Sequence, residues 1–268
     1  MANIQTNDSI EISISIVSHF HLSLILNLLK DLNQHCKKHS LEVILTLNTK
    51  EALPFSLKDF IFPISMIQNS SPKGFAENHN RAFQQIKGKY FCILNPDIRF
   101  QSDPFSKLIH CLQKNSFIGI VSPKVLNENG EIEDNARFFP TPLRIICKLF
   151  GKCRGSDYMI GKEIIYPDWV AGMFLLMPKS IFEKIRGFNK NFYLYYEDVD
   201  LCARVRLARL EIALCPDSVV VHNARRTSHR HIRFFMWHLT SMMKFFFSTV
   251  FIKIFIGKIV HSFQKKGV

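Results

Sequence analysis

Ile10 to Val17 reads Ile-Glu-Ile-Ser-Ile-Ser-Ile-Val, with apolar β-branched residues alternating with polar ones, which is the period of a β-strand. Working outward, Leu22 to Leu32 carries apolar residues at helical spacing, and Leu41 to Leu47 (LEVILTL) is a second buried strand. Asn78 to Ile86 reads as a second helix, and Tyr90 to Leu94 (YFCIL) as a third strand that stops at Asn95-Pro96-Asp97. Strand, helix, strand, helix, strand predicts a mostly parallel α/β sheet with crossover helices on its faces. Ligands of such sheets bind outside the carboxyl ends of the strands. Asp97 and the turn at Asn48 both sit at such ends. No internal repeat is present.

The composition sets the outer limits. The chain has 268 residues, 47% of them hydrophobic and 21% charged, enough for one substantial domain with a small appendage, which excludes wholesale disorder. Lys and Arg number 35 against 22 Asp and Glu, and the net charge of +13 calls for an anionic partner. That charge is uneven. From Ser218 to Val268 there is no acid, while nine Lys and Arg run from Arg225 and Arg226 to Lys265 and Lys266, interleaved with Phe and Trp. A membrane-spanning helix needs about 20 nearly uncharged residues, and Lys244, Lys253 and Lys258 interrupt this run. The pattern predicts an extension over 231–268 that lies in the headgroup plane of an anionic membrane, beside a main domain over 1–230. The alternative is a C-terminal helix packed on the domain or on a second subunit. The seven cysteines contain no CxxC pair, so neither a zinc framework nor a disulfide scaffold is expected. The polar N-terminal stretch MANIQTNDSIEIS predicts no secretory signal and a reduced, cytosolic-side protein.

Four motifs carry candidate chemistry, and each has a plain structural reading beside the functional one. In LNPDIRF, Asp97 directly after a buried strand could hold Mg²⁺ or Mn²⁺ against a diphosphate, although Asn-Pro-Asp is also ordinary turn chemistry. In YYEDVDLCARVRLARL, the acids Glu197, Asp198 and Asp200 open a helix whose later turns carry arginines, which already complements the helix dipole. Crowded behind aromatic residues, one of those acids could also be raised toward a general base. In VVVHNARR, a strand delivers His222 toward Arg225 and Arg226, either as a metal ligand beside phosphate-neutralising guanidiniums or as a packed residue. In SSPKGFAENHNRAF, Gly74 precedes a helix whose backbone amides could face phosphate or ribose, as many helix starts could.

In this order the motifs resemble the family 2 inverting glycosyltransferases of the GT-A fold, in the rhamnosyltransferase-like branch that builds bacterial surface polysaccharides. The resemblance is carried by Asn69 to Phe83, by LNPDI at 94–98, by GIVSPK at 119–124 with NGEIED at 129–134, by DWVAG at 168–172, by YYEDVDLCAR at 195–204 and by Val221-His222 with RRTSH at 225–229. It implies a Rossmann-like sheet with an amphipathic helical extension, a nucleotide-sugar donor and a divalent metal, Mg or Mn. Residue by residue, Asp97 would hold the metal with His222, and Asn95 would stand in place of the family motif's first acid. Asp198 would be the base that deprotonates the acceptor hydroxyl, with Glu197 as its partner. Trp169, Asp168 and Asp200 would meet the acceptor sugar. Asn48, Gly74, Asn78, Asn80, Arg81, Arg225 and Arg226 would bind the donor nucleotide. The expected reaction moves rhamnose from dTDP-rhamnose to a lipid-linked saccharide at the cytoplasmic face of a bacterial inner membrane, as a peripheral protein with no nucleic-acid partner.

Three departures from the family pattern stand out. Thr46-Leu-Asn-Thr49 replaces Val-Asp-Asn or Val-Asp-Asp at the second strand end, and Val17-Ser-His-Phe20 replaces the usual Thr-Tyr-Asn. Ala208-Arg-Leu210 replaces Ala-Gly-aromatic, so Arg209 is expected in a left-handed cap that glycine would fill at lower cost. The alternatives are a sugar-nucleotide pyrophosphorylase-like nucleotidyltransferase, a basic nucleic-acid-binding protein and a non-catalytic GT-A partner.

Overall fold

The computed structural model describes residues 9–151, 155–223 and 232–266. The opening strand β1 (Ile12–Ser18) pairs in parallel with β2 (Leu41–Leu47) on one side and β4 (Tyr90–Leu94) on the other, Ile12 lying beside Leu41 and Tyr90. Both faces of β1 are covered. Ile12, Ile14 and Ile16 enter one apolar cluster, while Ser13 and Ser15 are buried on the other face. These serines find partners: Ser13 donates to Glu42 at 2.5 Å, and the Ser15 hydroxyl meets Nδ1 of His79 at 2.8 Å. The alternation thus arises from two buried faces, one aliphatic and one of small polar residues, not from a face in water.

Helix α1 (Leu22–His35) links β1 to β2, and α2 (Phe75–Phe83) precedes β4, starting three residues before the expected Asn78. Strand β3 (Ile64–Gln68), absent from the sequence reading, adds to β2 as an edge strand, where only Ile67 is buried. The sheet continues through β9 (Phe174–Pro178), antiparallel to β4 and to β6 (Ile118–Leu126), and then β10 (Glu211–His222), parallel to β6. A two-residue β5 (Ile98–Arg99) closes the edge against the end of β10, giving the order β3-β2-β1-β4-β9-β6-β10-β5. A second small sheet pairs β7 (Ala136–Arg137) with β8 (Trp169–Val170).

Helices α1 and α3 (Phe105–Lys114) fill one face of the large sheet, while α2, α5 (Lys179–Lys184) and α6 (Glu197–Leu207) fill the other. After α6 the chain turns through Arg209 at φ 62°, the left-handed cap expected from the sequence. Helix α4 (Pro142–Leu149) stands outside the sheet.

The C-terminal extension is two helices, α7 (Ile232–Phe246) and α8 (Thr249–Lys266), bent by 59° at their junction. Phe245 is fully buried against the α6 side of the core, Ser241 donates to the Leu194 carbonyl at 2.9 Å, and Lys244 to that of Asn191 at 2.8 Å. Thus α7 and the start of α8 share the hydrophobic core of the main domain through one face. Among the described residues no single helix is long and apolar enough to cross a membrane; the bent pair Ile232–Phe246 with Thr249–Gly257 reaches that threshold by length and composition only.

Candidate active site

The acid-rich helix start is built by strain. Tyr195 and Tyr196 enter α6 at φ 69° and 66°, a left-handed conformation that costs roughly 1–2 kcal/mol per non-glycine residue. Helix α7 holds them there: both tyrosine rings pack edge-on against His238, at 5.3 and 5.4 Å, and Tyr196 also meets Phe245. The sharp turn aims Glu197 and Asp198 into a cavity of about 330 Å³, whose walls include Arg137, Arg144, Trp169, Ala171 and His238.

Asp198 is gripped at both carboxylate oxygens, Oδ2 accepting from the Gly172 amide at 2.9 Å and Oδ1 from the Val199 amide at 2.8 Å. A β-carbon at position 172 would stand 3.3 Å from that of Asp198, so glycine there permits the approach. Burial raises the Asp198 pKa, opposed by these two amides and by the Arg137 guanidinium. Glu197 is pushed well above the ordinary carboxylate range, first by burial and then by its charged neighbour Asp198. Its Oε2 is buried without a hydrogen-bond partner. Two adjacent carboxyls thus stand in unlike environments: amides and Arg137 favour the ionised form of Asp198, while burial and the neighbouring charge push Glu197 toward its neutral form.

Trp169 lines the same cavity, its Nε1 donating to the Phe138 carbonyl at 3.0 Å and its ring lying 5.5 Å beneath the Arg137 guanidinium. Asp168 lies behind it, accepting from the Phe139 amide at 2.8 Å and so fixing the cavity wall. Asp200, expected at the acceptor, is instead fully buried and paired at 2.7 Å with Arg204, which also donates to the carbonyls of Ile185 and Gly187. A carboxylate at the fourth helical position, two residues after Asp198, turns away from the cavity that Asp198 faces, and here it anchors the 185–187 turn.

A second cluster forms where β4 and β10 end. The short β5 pairs Ile98 with His222, drawing Asp97 alongside the imidazole: Nε2 of His222 lies 3.2 Å from Asp97 Oδ2. The other ring nitrogen, Nδ1, bonds Glu133 at 2.7 Å. Burial works against the charged imidazole, but Asp97 and Glu133 together hold its pKa up to about 9. Asp97 Oδ1 is buried without a hydrogen-bond partner, an oxygen left open for a ligand. Asn95 begins this turn, its amide bonded at 2.9 Å to the carbonyl of Met173, the residue next to the Gly172 that grips Asp198. The two clusters therefore occupy the same edge of the sheet. Glu133 escaped the sequence reading, although it lies in the quoted segment NGEIED at 129–134; an acid in an exposed-looking turn carries no local sign of a histidine 89 residues away.

Among the described residues no set of three His, Cys, Asp or Glu is disposed to enclose a metal ion. Asp97 and His222 offer two ligands. That suits Mg²⁺ or Mn²⁺, which usually retain waters and take further oxygens from substrate phosphates.

The residues expected to bind the nucleotide largely serve the protein itself. The Asn48 carboxamide accepts from the Lys73 amide at 2.7 Å and from Asn69 at 2.8 Å, and donates to the Lys73 carbonyl at 3.0 Å. Asn78 accepts from Asn69 at 2.7 Å, and Arg81 donates to Asn69 at 2.7 Å. Asn80 clamps the backbone of Phe188 with two 2.8 Å bonds across 108 residues. A β-carbon on Gly74 would strike the Tyr193 carbonyl at 2.5 Å, so this glycine serves close packing rather than a phosphate cradle. Asn48, Asn78 and Asn80 are thus hydrogen-bonded within the protein, and Gly74 packs against the backbone of Tyr193. The Arg81 side chain remains exposed. Arg225 and Arg226 lie outside the described residues.

Residues 13–186 match the family model described as Glycosyl transferase family 2. Over 245 residues the chain is 28% identical to the rhamnosyltransferase WbbL of Escherichia coli (strain K12), covering 87% of this chain and 91% of that one. Over 147 residues it is 23% identical to the N-acetylglucosaminyl-diphospho-decaprenol L-rhamnosyltransferase of Mycobacterium tuberculosis (strain ATCC 25618 / H37Rv), covering 52% of this chain and 48% of that one, about half of each. In fold it is similar to the mannosyltransferase PcManGT from Pyrobaculum calidifontis, solved with GDP-Man and Mn²⁺, at a TM-score of 0.59 and 13% identity over 89% of this chain and 65% of that one. The family match ends before Asp198 and His222, so what is said of those two side chains here comes from their own geometry. A match of that extent, on a scaffold shared with a solved transferase, means that the chain belongs to glycosyl transferase family 2 and is a glycosyltransferase of the GT-A fold.

Proposed function

We propose that this glycosyltransferase moves a sugar, rhamnose from dTDP-rhamnose, onto a lipid-linked saccharide, with inversion, as a peripheral protein on the cytoplasmic face of a bacterial inner membrane. The observation that carries the reading is Asp198, fixed by two amides against a cavity walled by Trp169. Asp198 takes the proton of the acceptor hydroxyl, whose oxygen bonds to the anomeric carbon while the bond from that carbon to the diphosphate breaks. The electron pair leaves with the nucleoside diphosphate. Trp169 offers an apolar face to the sugar, and neutral Glu197 withholds a second negative charge that would compete for the proton. Asp97 and His222 would hold a divalent ion, which when bound neutralises charge on the departing diphosphate. Glu133 orients the His222 ring through Nδ1, leaving Nε2 for that role.

Similarity to two rhamnosyltransferases, one named for a decaprenol diphosphate acceptor, supports the sugar and the acceptor class. The acid-free C-terminal segment supports the membrane surface. The test is transfer from dTDP-rhamnose to a polyprenyl-diphosphate saccharide, followed by the anomeric configuration of the product. Transfer with inversion is expected; transfer only from another nucleotide sugar would overturn the rhamnose assignment, and retention would overturn the mechanism.

A further inference from the structure

Two segments far apart in sequence share one composition and border one cavity. Between Asn135 and Ser156 there are five Lys and Arg and no acid, a bias like that of the chain after Ser218, although the flanking Asp134 and Asp157 pair with Arg137 and Arg144. Within the first segment, α4 turns Leu143 and Ile146 outward, and Phe150 continues the stripe one turn beyond. Leu143 is 71% exposed and Phe150 76%. Within the second, α7 exposes Ile232, Phe235, Met236, Leu239 and Met243, again one stripe at helical spacing, while its opposite face is the one docked on the domain. Helix α8 continues the exposed stripe with Ile252, Phe255 and Ile256. Arg144 and Ile145 of α4 and His238 of α7 all line the cavity that receives Asp198, so the helices that carry the two stripes both border it.

Exposed apolar stripes of this extent mark an interaction surface, and charge selects the occupant. A second copy would bring the same cations against these and be repelled, whereas an anionic bilayer receives both the aromatic side chains and the cations. We propose that α4 is a second membrane-contact element: α4 and the α7–α8 pair straddle the cavity mouth on an anionic bilayer, and the lipid-borne acceptor reaches Asp198 between them from the plane of the membrane. This rests on the membrane-surface reading above and deepens it. One contact would leave the domain free to pivot, while two fix the cavity facing the lipid.

Hydrogen exchange on the full chain, free and bound to phosphatidylglycerol–phosphatidylethanolamine vesicles, tests this without substitution. Amides of 142–150 and of 232–246 should both slow on vesicles. In a companion measurement, Leu143→Glu with Phe150→Glu should lower vesicle partitioning at least about tenfold, with thermal unfolding unchanged because both side chains are exposed. Slowing confined to 232–246, with partitioning unaltered by the α4 substitutions, would overturn the α4 contact and leave tail docking standing. No binding of the wild-type chain to these vesicles would overturn both. Slowing of 142–150 on raising protein concentration without lipid would identify a second copy as the occupant and overturn the proposal.

Discussion

The loop and helix around Asn69 to Arg81 and the turn into α6 both carry polar motif residues and are opposite in physical state. In the first region Asn48, Asn69, Asn78 and Asn80 bond one another and the backbone, and Gly74 is pressed against Tyr193. In the second, two tyrosines are held left-handed, Glu197 Oε2 is buried without a partner, and on the same sheet edge so is Asp97 Oδ1. Satisfied amides rigidify. Open carboxyl oxygens and strained entries are what a substrate or ion can complete. The comparison teaches that polarity and spacing locate a site, while the hydrogen-bond inventory separates the groups that build it from those that work in it.

Substitutions can break this contrast, beginning with the largest expected effect. Asp198→Asn keeps the shape but removes the proton acceptor, and kcat should fall by about 10²–10⁴ with nucleotide affinity unchanged. Asp97→Ala should remove metal-dependent binding of the nucleoside diphosphate, read by calorimetry with and without Mn²⁺, while the melting temperature holds. Asn80→Ala should do the reverse. It leaves the Phe188 amide and carbonyl unpaired and should destabilise the fold by about 2–4 kcal/mol, with nucleotide affinity of the folded fraction intact; a loss of affinity without destabilisation would return Asn80 to the donor site. Glu133→Gln should weaken metal affinity by about 10–100-fold without abolishing it, because an amide still orients His222 less firmly.

A pH profile sharpens the same contrast. As the proposed base Asp198 must be ionised, and burial raises its pKa, so activity should fall with acid at a higher pH than an ordinary carboxylate would give. Arg137 opposes that rise, so Arg137→Met should move the acid limb further upward. An unmoved limb would separate Arg137 from the base.

Much of the fold was legible because its signals are local. The alternation of β1, the apolar runs of β2 and β4, and the acid-rich start of α6 all declare themselves within a few residues. Even the left-handed turn at Arg209 followed from a missing glycine. What was hidden depends on distant partners. Strand β3 is short and mostly exposed, and β9 is an apolar run whose antiparallel insertion between β4 and β6 no local pattern encodes. Asp200 looks like its neighbour Asp198 until the helical turn rotates it onto Arg204. The extension reads as one amphipathic helix, but Ser241 and Phe245 dock one face of α7 on the domain and leave the other exposed. Because α7 contributes to the core and braces Tyr195 and Tyr196, the tail is better probed through exposed Phe235 and Phe247 than by truncation.

The division of labour along the sheet edge is the central claim: the donor is held at Asp97 and His222, and the proton is taken at Asp198. Calorimetric titration of Asp198→Asn with dTDP and Mn²⁺, beside its turnover with a dTDP-sugar and a polyprenyl-diphosphate acceptor, tests it most directly. The account predicts wild-type nucleotide affinity with transfer lost. Transfer near the wild-type rate, or nucleotide binding lost together with transfer, would contradict it.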